Sequence, residues 1–196
     1  EGFVYSIDAA SGTIVWQTKT NAVAGSAVVG MDGAVMVLQA WPHPVMTALD
    51  GDTGDIKWLA NADELALEVL PRSWILGNPV ASANGIPTVT DDAVLVPVVY
   101  GYPFWMGRTL ALPVKNYVVA FDKETGRAFA NVVEIPDDSS NTTPVLADGT
   151  IMNPLGAAVT SSYAQLAPLF NRFLPKGLKQ TMPTGGLQVA IPVGAK

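Results

Sequence analysis

Short apolar and β-branched runs, alternating with polar residues in 3–8 and 13–19 and unbroken in others such as 34–38 and 117–121, fill most of the first 155 positions, separated by glycine, aspartate and proline. Side chains of a strand point alternately to its two faces, so this pattern predicts strands with one face buried deeper than the other. It places them over 3–8 and 13–19, then 25–30, 34–39, 45–50 and 55–59, then 86–90, 93–100, 117–122 and 127–135, and finally 143–147 and 150–154. Met31-Asp32-Gly33 is a turn signal between the first two strands of the second set. Residues 63–70 carry helical spacing in Leu65, Leu67, Val69 and Leu70, and Pro71 stops it. Beyond Gly156 the alternation is lost: Tyr163, Leu166, Leu169 and Phe170 are spaced as in a helix but Pro168 interrupts them, and 186–192 can add one strand.

One stretch gives these strands a phase. Ala48-Leu49-Asp50-Gly51-Asp52-Thr53-Gly54-Asp55-Ile56-Lys57-Trp58 is an apolar strand ending in aspartate, a tight turn, and a second strand that carries a tryptophan four residues after the glycine. The carboxylate suits the turn's own amides, and glycine supplies the positive φ that the reversal needs. Asp8, Gly12 and Trp16 repeat this skeleton upstream, with Ser11 for threonine; Asp122, Thr125 and Gly126 repeat it downstream, with Ala130 where the tryptophan belongs. The aspartate recurs after 42 residues and again after 72. A period near 42 is that of four short strands per propeller blade, and the longer interval is one period plus an insertion.

The pattern Ala-x-Asp-x-x-Thr-Gly-x-x-x-Trp resembles the tryptophan-docking motif of the PQQ-like, quinoprotein-type β-propeller repeats, over about residues 3–155. The resemblance implies an all-β propeller of four-stranded antiparallel blades, with the tryptophan of one blade packed on the next. Trp16, Trp58, Asp8, Gly12, Asp50, Gly54, Asp122 and Gly126 are then structural docking residues. Ala130 puts the third contact in question, and Phe129 is the neighbour expected to fill part of that space. The expected organisation is one domain over 1–196: a half blade 1–20, a blade 21–60, an insertion 61–78, a blade 79–135 with an insertion 101–116, the start of a further blade 136–160, and an insertion or tail 161–196. About three to four blades are covered, fewer than this family usually closes with, so the chain is expected to be a piece of a longer propeller or to close with another chain.

Composition narrows the function classes. The chain is 49% hydrophobic and only 14% charged, with net charge −6 and 11 scattered Lys and Arg, which disfavours a phosphate-binding surface. No run of 18 uncharged apolar residues is present to span a bilayer as a helix. There is no cysteine, hence neither disulfide nor thiolate metal site.

Candidate chemistry is sparse. His43, the single histidine, lies between Pro42 and Pro44 and has no second histidine to join it as a ligand, so an exposed loop residue is expected. Asp91-Asp92 and Asp137-Asp138 sit at predicted turns and read as solvated turn residues. Asn141-Thr142-Thr143 has the form of a glycosylation sequon, a pattern frequent by chance. The two loops at equivalent positions, one with Trp41 and His43 and the other with Tyr102, Phe104, Trp105, Met106 and Arg108, are the candidate partner-binding residues, because aromatics, Met and Arg are the types enriched at interface cores.

The expected function is therefore a non-enzymatic, periplasmic or extracellular scaffold for protein–protein interaction, with other protein chains as partners, no nucleic acid and no cofactor. The alternative that the resemblance implies is part of a quinoprotein alcohol or sugar dehydrogenase holding pyrroloquinoline quinone over calcium. The adjacent cysteine pair of alcohol-oxidising members is absent from the chain, and no calcium-ligand set can be aligned.

Overall fold

A computed structural model describes residues 2–20, 27–38, 45–83, 86–103, 110–135, 145–147, 150–155, 169, 171–173, 175–176 and 187–192. The described residues form four antiparallel sheets and one short helix. Blade 1 is the pair β1 (Gly2–Ile7) and β2 (Ile14–Thr20). Blade 2 runs in order through β3 (Ala27–Met31), β4 (Ala34–Leu38), β5 (Val45–Asp50) and β6 (Ile56–Asn61). Helix α1 (Asp63–Val69) follows. Blade 3 has a divided inner strand, β7 (Val80–Ala83) and β8 (Thr88–Val89), both paired with β9 (Ala93–Pro103), then β10 (Leu110–Asp122) and β11 (Ala128–Ile135). Blade 4 consists of β12 (Val145–Ala147), β13 (Thr150–Leu155) and β14 (Leu187–Pro192).

Two expectations change. The insertion expected over 101–116 is mostly strand: Pro103 pairs with Leu110 and Tyr102 with Ala111, so β9 and β10 run on as a long hairpin with an irregularity before Lys115. The strand expected over 86–90 shrinks to Thr88–Val89, and the inner edge is also built by Val80–Ala83, which the alternation rule passed over. The strand expected over 186–192 forms as β14, paired along its length with β13, so residues 156–186 connect the second and third strands of blade 4.

The main core is the seam between blades 2 and 3. Met36, Leu38, Met46 and Ala48 of blade 2 belong to one buried cluster with Val94, Val96, Val98, Tyr100, Val119 and Phe121 of blade 3. Helix α1 adds Leu65 and Ala66 to this cluster, while Leu67 on its outer side stays exposed. Successive strands are antiparallel neighbours, so the connections alternate between two ends of each blade.

Candidate interaction surface

The two ends of the blades are built differently. At one end lie the turns between third and fourth strands, and all three obey one rule. In blade 2 the Asp50 carboxylate accepts the amides of Asp52 and Thr53, each at 3.0 Å, and the Thr53 hydroxyl. Asp8 does the same with Ala10 and Ser11, and Asp122 with Glu124 and Thr125. These bonds hold all three carboxyls below the usual carboxylate range: the Ser11 and Thr125 hydroxyls act most strongly on Asp8 and Asp122, and the Thr53 amide on Asp50. The glycine four residues on donates its amide to the aspartate carbonyl in each turn, with φ of 72° to 78°.

That glycine also receives a ring. The Trp16 indole lies on Gly54 so closely that a Cβ there would stand 2.6 Å from Cδ2, and its Nε1 donates to the Gly51 carbonyl at 2.8 Å. Trp58 repeats the contact one blade along, covering Gly126 even more tightly and donating to the Lys123 carbonyl at 3.0 Å. The inner turns join in. Asp32 and Gly33 both adopt positive φ as a two-residue hairpin turn, the Gly51 amide bonds the Gly33 carbonyl, and Lys123 Nζ pairs with Asp32 at 3.1 Å. This Asp32 contact is the main cause that raises the Lys123 ammonium above its ordinary value.

Register explains why Ala130 and Phe129 behave as they do. Ser6 pairs with Trp16, Ala48 with Trp58 and Ala120 with Ala130, and in each blade the residue before this position is skipped by the ladder. Phe129 occupies that skipped position and is 54% exposed, so it does not fill the missing ring's space. The blade that follows departs from the pattern as well. Pro192 pairs opposite Thr150 where Asp50 stands opposite Ala34 and Asp122 opposite Ala93. In sequence, the residues three and four after Pro192 are Ala195 and Lys196, where the motif has threonine and glycine. Blade 3 lacks the docking ring, and the sequence from Pro192 on lacks the aspartate, threonine and glycine of the motif.

The other end carries the enlarged connections. In blades 2 and 3 the second strand leaves and the third returns here, across residues 39–44 and 104–109, and residues 156–186 hold the same position in the strand order of blade 4. Trp41, His43, Phe104, Trp105, Met106 and Arg108 all lie outside the described residues. Tyr102 is described and corrects an expectation: it is 4% exposed, and its hydroxyl donates to the Pro71 carbonyl, so it serves the core and not a partner surface.

The connection between blades 2 and 3 lies at this end too, as the Tyr102 to Pro71 bond requires. Asn61 accepts the Asp63 amide at the start of α1, and an Asp63 carboxylate oxygen accepts the Ala81 amide at 2.7 Å. Asn131 of β11 accepts from the fully buried Tyr100 hydroxyl at 2.8 Å and donates to the Leu65 carbonyl and the Glu68 carboxylate. After Pro71 the chain makes a small closed loop whose Trp74 and Ile75 are 94% and 69% exposed. Sequence reasoning missed this pair. Its signal was an apolar run, Trp74-Ile75-Leu76, between the turn-forming Ser73 and Gly77.

Among the described residues no three of His, Cys, Asp and Glu come together as a metal-holding group, and no helix is long and apolar enough to cross a membrane.

Comparison with known proteins adds a family. A family model described as outer membrane protein assembly factor BamB matches residues 1–159. No curated protein sequence matches the chain. Among solved structures, a europium-containing methanol dehydrogenase is similar at 21% identity and a TM-score of 0.42, covering 69% of this chain and 22% of its own. BamB from Moraxella catarrhalis is similar at 23% identity and a TM-score of 0.39, covering 78% of this chain and 52% of its own. The chain therefore spans about a fifth and about half of these two proteins.

Proposed function

We propose a function from one premise: the chain belongs to the family of the outer membrane protein assembly factor BamB, built of PQQ-like β-propeller repeats. It is a portion of a cofactor-free, extracytoplasmic propeller that binds other protein chains within an assembly. One observation carries the reading: the enlarged connections gather at one end of the blades, while the other end is closed by short turns bonded to each other. A rigid framework that varies its loops at a single end is the arrangement by which repeat proteins present a binding face. Trp16 and Trp58 supply the rigidity, and the connections supply the recognition.

The test uses the full-length protein with a photoreactive phenylalanine analogue at Leu67, on the decorated end, or at Asp52, on the turn end. Partner proteins are expected to cross-link from Leu67 and not from Asp52. Cross-linking from Asp52 alone overturns the reading. So does tight binding of pyrroloquinoline quinone with calcium accompanied by dye-linked alcohol oxidation, which replaces the scaffold with the dehydrogenase.

A further inference from the structure

We propose that the loop Ser73-Trp74-Ile75-Leu76-Gly77 is a preformed apolar knob that inserts into a cleft of a partner protein, with Trp74 and Ile75 as the contact residues. The inference deepens the scaffold reading and rests on it. The loop is closed at its neck by two bonds, Ser73 amide to Gly77 carbonyl at 2.8 Å and Gly77 amide to Ser73 carbonyl at 2.9 Å. The Ser73 hydroxyl accepts the Leu76 amide at 3.0 Å and the Ile75 amide at 3.3 Å, and Gly77 takes the left-handed φ of 83° that completes the reversal. The flanks are fixed too. Leu70 is buried, Leu76 packs against the main core, Pro79 is buried, and Tyr102 holds the Pro71 carbonyl.

A loop so held presents two large apolar side chains on a backbone already ordered, which lowers the entropy cost of a small contact. Their exposure is not explained by the fold. The sheets on either side, blades 2 and 3, are already packed on one another through the main core, to which neither Trp74 nor Ile75 contributes. Shape and charge choose the occupant. A convex tip calls for a concave receptor, and tryptophan and arginine, here Trp74 with the exposed Arg72 beside it, are the residue types that dominate binding energy in protein interfaces. A lipid surface fits poorly: two apolar side chains bury little area, and a chain of net charge −6 with Glu64 and Glu68 exposed on α1 is repelled by anionic headgroups. The receptor is a protein cleft lined by apolar side chains, with an acceptor for the indole N–H and acidic groups at its rim for Arg72.

The full-length protein carrying the photoreactive residue at position 74 is cross-linked in its own cells, the cross-linked peptide is mapped, and the captured protein is purified for calorimetry. Expected are cross-links to apolar residues of a cleft, and a Kd raised at least about tenfold by Trp74→Ala and by Ile75→Ala, with Lys57→Ala unchanged. Ser73→Ala, which frees the tip without removing it, falls between. Cross-links to lipid, to a second copy of this chain, or no more than from Lys57 overturn the proposal. A partner captured from Leu67 whose affinity is indifferent to Trp74→Ala overturns the knob and leaves the scaffold reading standing, whereas capture from Asp52 alone overturns both.

Discussion

The turn end and the decorated end of the blades solve the same problem, carrying the chain from one strand to the next, by opposite means. At the turn end each reversal between third and fourth strands is five residues with one aspartate bonding its own amides, and at Gly54 and Gly126 the neighbouring blade's indole lies on the glycine. At the decorated end the connection between blades 2 and 3 spends a helix, a closed loop and a network of long-range side-chain bonds on the same task. The difference teaches where this fold stores order. Bonds within a turn are cheap in chain entropy and repeat from blade to blade. Bonds from Asn131 to Leu65 tie positions 66 apart, occur once, and leave room for variation.

The largest effect comes from filling the space beneath a docked ring. Gly126→Ala adds a methyl where the Trp58 ring already sits, at a φ of 72° that an L side chain adopts at a cost. Gly12→Ala meets the same φ but has nothing within 4 Å. Left-handed backbone costs about 1 kcal/mol and overpacking about 2 more, so Gly126→Ala should lose about 3 kcal/mol and Gly12→Ala about 1. Urea unfolding of the two variants, with unchanged m-values, measures the difference. Equal losses would mean that the ring contributes nothing beyond the turn. Trp74→Ala, at the other end, should change stability by under about 0.5 kcal/mol because that ring is 94% exposed.

Next in size is the helix attachment. Asn131→Ala leaves the fully buried Tyr100 hydroxyl without its acceptor and removes both donors to α1, for a loss of about 2 kcal/mol. Tyr100→Phe in that background should recover part of it, because the orphaned hydroxyl is then gone. Amide exchange in α1 should accelerate in Asn131→Ala while the three aspartate turns keep their protection. Loosening of both ends together would dissolve the distinction between them.

Legibility follows the same division. The turn end could be read from spacing alone, because Asp50, Thr53, Gly54 and Trp58 interact within one turn or at the next copy of it, and a local rule leaves a local signature. The decorated end could not. Tyr102 sat in an aromatic cluster that looked like a surface, yet β9 continues past the point where alternation was followed and carries that ring into the core. Trp74 and Ile75 fall inside the insertion 61–78 with no signal of their own, since no sequence rule tells an apolar residue that packs from one that is presented. The short inner strand Val80–Ala83 was missed because it is small and mixed in composition, and only pairing with β9 makes it a strand.

Smaller still is the response at Ala130, where the docking ring is missing. Ala130→Trp restores the ring but not its receptor, because Pro192 takes the pairing position of Asp50 and Asp122 and is followed three and four residues on by Ala195 and Lys196 instead of threonine and glycine. The single change should shift stability by under about 0.5 kcal/mol, as for other substitutions that create no buried contact. Adding Pro192→Asp, Ala195→Thr and Lys196→Gly should turn it into a gain. A marked gain from Ala130→Trp alone, in the same urea assay, would show that another surface receives the ring and that the two departures are unrelated.

The finest separation between the ends is by pH. Asp8, Asp50 and Asp122 have native carboxyl values held down by turn hydroxyls and amides, so as acid is added the unfolded chain takes up protons first. Their contribution is complete above the ordinary carboxylate value of about 4 and is lost as pH falls through the lowered native values. At the decorated end the sign is reversed and the range alkaline. Burial raises the Tyr100 hydroxyl, with Glu68 adding to it, and burial with Glu134 pushes Tyr117 up to about 12. The unfolded chain therefore loses these protons first, and stability falls as pH rises beyond about 10. The triple variant Asp8→Asn, Asp50→Asn and Asp122→Asn keeps an oxygen for the turn amides but cannot titrate, so it should flatten only the acid limb of a stability–pH curve. Tyr117→Phe should flatten only the alkaline limb. If either set of changes moved both limbs, the two ends would be coupled through the blades, and a partner held at one would be felt at the other.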